Sequence, residues 1–279
     1  MEENEAVYEA TLEAIRQNQP ACVLTVIEAR GSTPREVGAK MLLRADGSTV
    51  GTIGGGALEA SAIADAEAAL NDGISRVTEY SLRGREQDLG VCGGTAKVFI
   101  EVLRLKPTLL IAGGGHVAQP LAQFGHLLGF RTVVVDDRPD FVERARFPHA
   151  DELVVTPFES LLEKVAITPQ TFVAIVTHGH QFDTVVLRQV VTSAAAYIGM
   201  IGSRKKVRTV FEQLLSEGVP KEKLAQVYAP VGLRTRGQTP AEIALSIMAE
   251  IVLVQHGGTG EPLSWRDNPL RAAKEQAKG

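Results

Sequence analysis

Gly113, Gly115 and Ala118 occupy the small-residue positions of the spacing G-x-G-x-x-G/A, directly after the apolar run Leu109-Leu110-Ile111-Ala112. Residues of this size at this spacing suit phosphate binding. The first permits a tight turn, the second lets the backbone approach a phosphate, and the third lets a helix pack close to its strand. The helix N-terminus behind them supplies free N–H groups and partial positive charge. Gly114 and His116 fill the turn, His116 facing a ligand or capping the helix. Asp136 stands about 20 residues further on, where an acid suits a ribose hydroxyl. The plainer alternative is that the glycines serve packing alone.

Ligands of open parallel sheets sit beyond the carboxyl ends of the strands, so the loops there are the informative ones. They carry Gly113 to His116, Asp136-Asp137-Arg138, His178-Gly179-His180 with Asp183 nearby, and Gly202-Ser203-Arg204-Lys205-Lys206. Glycine, imidazole, carboxylate and base around one crevice form a composition for a phosphate-bearing ligand. His178 and His180 invite a metal, but two imidazoles without a placed third ligand fall short of a zinc set. Hydrogen bonding to a ligand, or ordering the loop, is the alternative. Arg204, Lys205 and Lys206 either grip phosphate or form a solvated face.

Two cysteines are too few for a disulfide framework and fit a reducing, cytoplasmic setting. Cys22 lies in an apolar strand and reads as a small buried hydrophobe. Cys92 sits in Gly90-Val91-Cys92-Gly93-Gly94, where little side-chain bulk surrounds it. A cysteine so placed can form a thiolate for sulfur transfer or metal ligation. Motifs of serine hydrolases, P-loop NTPases and zincins are absent, and no catalytic triad or carboxylate pair can be read off.

The elements that must position these residues divide the chain in two. Glu2 to Gln17 reads as an amphipathic helix and Ala21 to Ala29 as a strand, followed by the turn-rich loop Gly31 to Gly38 bearing Arg35. Asp46-Gly47 predicts a hairpin between Lys40–Arg44 and Thr49–Ile53. Gly54-Gly55-Gly56 opens an alanine-rich helix to about Leu70, and strands at Arg76–Leu82 and Ala96–Leu103 bracket the loop with Cys92. From Leu109 onward strands and helices alternate, which predicts a parallel sheet. Thr239, Pro240 and Glu242 start a final helix. The expected fold is α/β: an N-terminal α+β domain (1–105), a Rossmann-like doubly wound parallel-sheet domain (106–256) and a polar tail (257–279).

A net charge of −4 gives no electrostatic argument for nucleic acid or anionic membrane. The acidic N-terminus is no signal peptide, and no apolar run reaches membrane-spanning length.

Gly31-Ser32-Thr33-Pro34-Arg35, Gly51 to Glu59 and Cys92-Gly93-Gly94 resemble the N-terminal domain of the XdhC/CoxI family. The match continues through Gly113 to Val117, Val135 to Arg138, Arg146-Phe147-Pro148, Thr177-His178, Tyr197 to Arg204, Ala229 to Leu233 and Thr239 to Ala244. Many CoxI-like members have Ser-Gly-Gly-Cys where this chain has Gly54-Gly55-Gly56-Ala57, so no cysteine role falls there. Gly232 to Gly237 departs from the commoner Gly-Leu-Asp-Ile-Gly pattern. The resemblance implies a chaperone of the molybdenum cofactor (molybdopterin) that supports its sulfuration and insertion, without turning over a substrate. Its implied partners are a molybdenum hydroxylase client such as xanthine dehydrogenase and a cysteine desulfurase; whether the chain pairs with a second copy as a homodimer is left open by the sequence. It also implies a cofactor site at the domain junction, drawing on Gly113, Gly114, Gly115, His116, Asp136, Arg138, His178, Ser203 and Arg204 with Arg35, Gly54, Gly55 and Cys92. Cys92 would contact molybdenum or relay sulfur. The competing reading is an oxidoreductase using NAD(P), to which the fingerprint and Asp136 belong equally. A pure protein adaptor is a third.

Overall fold

The computed structural model describes residues 2–81, 94–103 and 105–263. The chain divides into two compact units, Met1–Leu105 and Lys106–Gly279.

The first unit contains α1 (Glu2–Arg16), β1 (Ala21–Arg30), β2 (Lys40–Arg44), β3 (Thr49–Gly51), α2 (Gly56–Asp72), β4 (Arg76–Ser81) and β5 (Thr95–Val102). The strands form an antiparallel sheet in the order β3-β2-β1-β5-β4. Alternate residues of a strand face opposite sides, and β1 shows the consequence. Cys22, Leu24 and Val26 pack with Leu58, Ala62, Ala66 and Ala69 of α2, whereas Ala21 and Val23 pack with Val7, Ala10 and Ala14 of α1. The small residues of α2 let it lie close to the sheet. It runs two residues past the expected end because Gly73, at φ +72°, closes it with an N–H donated to the Ala69 carbonyl.

The second unit contains β6 (Thr108–Ala112), α3 (Ala118–Leu127), β7 (Arg131–Asp136), β8 (Glu152–Val155), α4 (Leu161–Lys164) and β9 (Thr171–Ile175). It continues through α5 (His180–Val190), β10 (Tyr197–Met200), α6 (Arg204–Ser216), α7 (Lys221–Leu224) and α8 (Pro240–His256). All five strands are parallel, ordered β10-β9-β6-β7-β8. β6, β9 and β10 are buried at every position, as parallel strands covered on both faces must be. Leu110 and Ala112 meet α5 and α6 through Val186, Leu187, Val207 and Val210. Leu109 and Ile111 meet α3 and α8 through Leu121, Ala122, Ile247 and Ile251. This is the doubly wound arrangement expected. The capping box of Thr239 and Glu242 starts α8 as its sequence predicts.

β6 lies between β7 and β9, so the chain leaves it in one direction and returns on the other side. That reversal is the switch point at which such sheets hold ligands. β9 ends at Ile175, two residues earlier than expected, which frees Val176 and Thr177 to approach the turn after β6. Among the described residues, no helix is long and apolar enough to cross a membrane.

Candidate functional site: the carboxyl edge of the parallel sheet

The three glycines after β6 have three different duties. Gly113 adopts φ +111° and donates its N–H to the Val135 carbonyl at 2.7 Å. A Cβ there would sit 2.5 Å from the Val176 carbonyl oxygen, so the turn packs backbone on backbone against the end of β9. Gly114 is enclosed. Its N–H donates to Asp136 Oδ2 at 2.7 Å, its carbonyl accepts from Arg146 Nη2 at 3.1 Å, and a Cβ would strike the Phe141 carbonyl. Gly115 is the open one, with nothing within 4 Å of the place a Cβ would take. His116 beside it is exposed.

Asp136 is fully buried and holds the neighbouring loop together. Oδ1 accepts from the Arg138 backbone N–H at 3.0 Å and from Arg138 Nε at 2.8 Å. Oδ2 accepts from Gly114 N–H and from Arg138 Nη2 at 3.1 Å. Burial pushes its carboxyl upward, but the Arg138 guanidinium and the two backbone N–H groups outweigh that and hold it below the usual range. The Arg138 guanidinium lies 3.6 Å from the centre of the Phe141 ring, and Arg146 lies 4.9 Å from the same ring. Asp137 has the opposite character. Burial and the adjacent Asp136 raise its carboxyl above the usual range, and its buried Oδ1 makes no hydrogen bond but lies 3.8 Å from Arg138 Nε as an ion pair.

Asp136, Asp137 and His178 have potential ligand atoms within 4.8 Å of one another. A carboxylate offers about four lone-pair sites, and Asp136 has spent all of them. Asp137 and His178 alone fall short of a three- or four-ligand metal set. His178 is exposed and packs its ring 4.5 Å from that of Phe182; the side chain of His180 lies outside the described residues.

The loops after β9 and β10 are joined by a buried network. Asp183 of α5 is fully buried, accepts from Thr177 Oγ1 at 2.6 Å and pairs through Oδ2 with the Lys206 ammonium. Burial still raises its carboxyl, with Lys206 and Thr177 opposing. Ser203 caps α6, its hydroxyl accepting from Lys206 N–H at 3.2 Å, and Arg204 is exposed. A cavity of about 570 Å³ between α5 and α6 is lined by Ser203 and Lys205 but by none of the residues of the glycine turn.

The glycine loop of the first unit already holds an anion. Glu59 Oε2 accepts from Thr52 Oγ1 at 2.5 Å, Ile53 N–H at 3.2 Å and Gly55 N–H at 3.1 Å. Gly54, at φ +135°, is pressed against Pro34, so the loops of Arg35 and Gly54 lie together. Arg35, Pro34 and Thr52 line a cavity of about 400 Å³. Cys22 is buried as expected, its thiol pushed up to about 11 by burial. Cys92 lies outside the described residues.

The pattern of the XdhC Rossmann domain matches residues 109–251, and that of the XdhC and CoxI family matches residues 14–81. The chain belongs to the XdhC family. Uncharacterized protein YqeB of Escherichia coli is 37% identical over 88% of this XdhC-family chain and 45% of its own length. A Bacillus subtilis protein named as a probable xanthine dehydrogenase subunit is 32% identical over 57% of the chain and 46% of its own. The chain thus spans about half the length of these two relatives. The molybdenum cofactor insertion chaperone PaoD of E. coli is 24% identical over 91% of the chain and 89% of its own. A crystal structure from Bacillus halodurans described as a xanthine dehydrogenase superposes with a TM-score of 0.51 at 27% identity, covering 92% of the chain and 98% of that structure.

Within this XdhC-family fold, the structure joins Gly114, Asp136 and Arg138 in one set of hydrogen bonds, with Gly113 and Gly115 flanking it in the chain. Five residues have structural partners that the motifs did not reveal. Phe141 and Arg146 lock Gly114 from 27 and 32 residues away, Glu59 fills the first glycine loop, and Asp183 with Lys206 ties α5 to α6. Glu59 and Asp183 carried a local signal, an acid in the first turn of a helix after glycine.

Proposed function

We propose that this chain binds the molybdenum cofactor at the carboxyl edge of its parallel sheet, supports sulfuration of that cofactor and serves its insertion into a molybdenum hydroxylase such as xanthine dehydrogenase. It acts as a maturation factor and turns over no substrate of its own. The observation that carries the reading is the open face of Gly115 beside the Arg138 guanidinium, a cradle of backbone and cation for a phosphate. Family membership and the full-length similarity to a molybdenum cofactor insertion chaperone support the same reading.

When bound, the cofactor supplies its molybdenum dithiolene centre. The chain's residues hold it: Gly115 and the start of α3 at the phosphate, Arg138 on the anion, and His116 and His178 at the rim. Gly113, Gly114 and Asp136 keep these groups in place. Ser203 and Arg204 at the start of α6, with Arg35, are proposed as further cofactor contacts, whereas the N–H groups of Gly54 and Gly55 are already spent on Thr52 and Glu59. Cys92 is proposed to meet molybdenum or relay sulfur from a cysteine desulfurase, and the Cys92→Ser variant should fold normally while losing client activation. A second copy of the chain is proposed as a further partner, and the cytoplasm as its place of action.

The test is purification from a cofactor-producing host, with pterin fluorescence and molybdenum measured on the protein. Both should copurify. The NAD(P) reading loses ground because Asp136 offers no lone pair to a ribose; saturable sub-micromolar nicotinamide binding with turnover would overturn the chaperone.

A further inference from the structure

The end of β7 in a nucleotide-reading crevice presents an acid whose free lone pairs accept from the ribose hydroxyls. Asp136 has the right place and the wrong circumstances. It is fully buried and its four acceptor positions are all filled, two by backbone N–H groups and two by one edge of the Arg138 guanidinium. The backbone donors cannot swing away without undoing the turn at Gly114. A ribose diol brought to this edge finds no acceptor.

Arg138 is in the converse condition. A guanidinium has five N–H donors, and the two bonds to Asp136 spend one on Nε and one on Nη2. Among the described residues no hydrogen bond uses the remaining three. The side chain is one-third exposed, and its stacking 3.6 Å above Phe141 fixes the plane in which those donors lie. Asp136 Oδ2 accepts from both Nη2 and Gly114 N–H, so the guanidinium stands beside the turn whose next residue, Gly115, leaves open space.

We propose that this crevice selects a ligand ending in a phosphate monoester, read by Arg138, and that Asp136 is a positioning residue diverted from ribose recognition to hold Arg138 in place. A terminal monoester carries close to two negative charges at neutral pH, and three fixed donors and a backbone cradle suit it better than a bridging phosphate with one. Resting on the reading above, this names the cofactor form: molybdopterin with its own phosphate, without an attached nucleotide.

The experiment uses the full chain from a host unable to make the cofactor. Two probes are titrated by pterin fluorescence: the oxidised, phosphate-bearing pterin derived from molybdopterin, and the same pterin after phosphatase treatment. The wild type should bind the phosphorylated probe at least about tenfold more tightly, inorganic phosphate should compete with it, and CMP and NAD+ should not displace it any better than inorganic phosphate does. Arg138→Gln should bring the ratio close to one. Arg138→Lys, which keeps the charge that Asp136 needs but loses the planar fork, should lower the ratio at least about threefold. A wild-type ratio near one, or an unchanged ratio in either folded variant, overturns the assignment of Arg138 while leaving pterin binding intact. Failure of both pterins to bind overturns the cofactor reading itself.

Discussion

Asp136 and Gly114, 22 residues apart, are joined by a 2.7 Å hydrogen bond from the glycine N–H to a fully buried carboxylate. That bond makes Gly114, the middle one of three consecutive glycines, an anchor of the turn and not a ligand contact. With Arg146 on its carbonyl and Phe141 against its Cα, Gly114 has no group left for a ligand, and the ligand-facing work passes to Gly115.

The adjacent glycines should therefore respond differently to a side chain. Gly115→Ala and Gly115→Val enter open space, so their melting temperatures should stay near wild type while binding of the phosphorylated pterin is lost. Gly114→Ala forces a Cβ onto the Phe141 carbonyl and should cost roughly 1–3 kcal/mol as the loop shifts. Thermal melting alongside probe titration separates the two.

Asp136→Asn should cost about 1.5–3 kcal/mol at neutral pH, the usual range for hydrogen bonds to a charged group. The carboxyl of Asp136 is held low in the folded protein, so its contribution is present above the ordinary aspartate value of about 4. It is lost as pH falls through the lower folded value. Wild-type and variant stabilities, measured by denaturant unfolding from pH 7 downward, should converge only in that acid range.

Glu59→Ala removes the acceptor for three donors of the first glycine loop. It should cost about 2–3 kcal/mol and speed amide exchange at Ile53 and Gly55. Glu59→Gln keeps one carbonyl acceptor and should recover part of both effects.

Lys206→Met leaves the buried Asp183 carboxylate without its ammonium partner. The expected loss is about 3–5 kcal/mol at neutral pH. Burial already raises the Asp183 carboxyl, and removing Lys206 raises it further. The variant should regain stability relative to wild type as acidification protonates Asp183. The double variant Asp183→Asn with Lys206→Met should cost less than the sum of the singles in a denaturation cycle.

Much of the fold was legible because its causes are local. The apolar run Leu109 to Ala112 is a strand buried on both faces, Asp46-Gly47 turns a hairpin, and Thr239 with Glu242 caps α8. Periodicity, turn conformation and capping depend on residues a few positions apart, so a chain displays them without folding. The small-residue spacing at Gly113, Gly115 and Ala118 belongs to the same class. What tertiary structure alone decided is which partner each polar group takes. Asp136 stands where a ribose acid stands, yet its lone pairs went to Gly114 and Arg138; Gly55 offers an N–H to an anion, and Glu59 took it. A polar group has few bonding positions, and whether they are spent within the chain or left for a ligand depends on residues brought close only by folding.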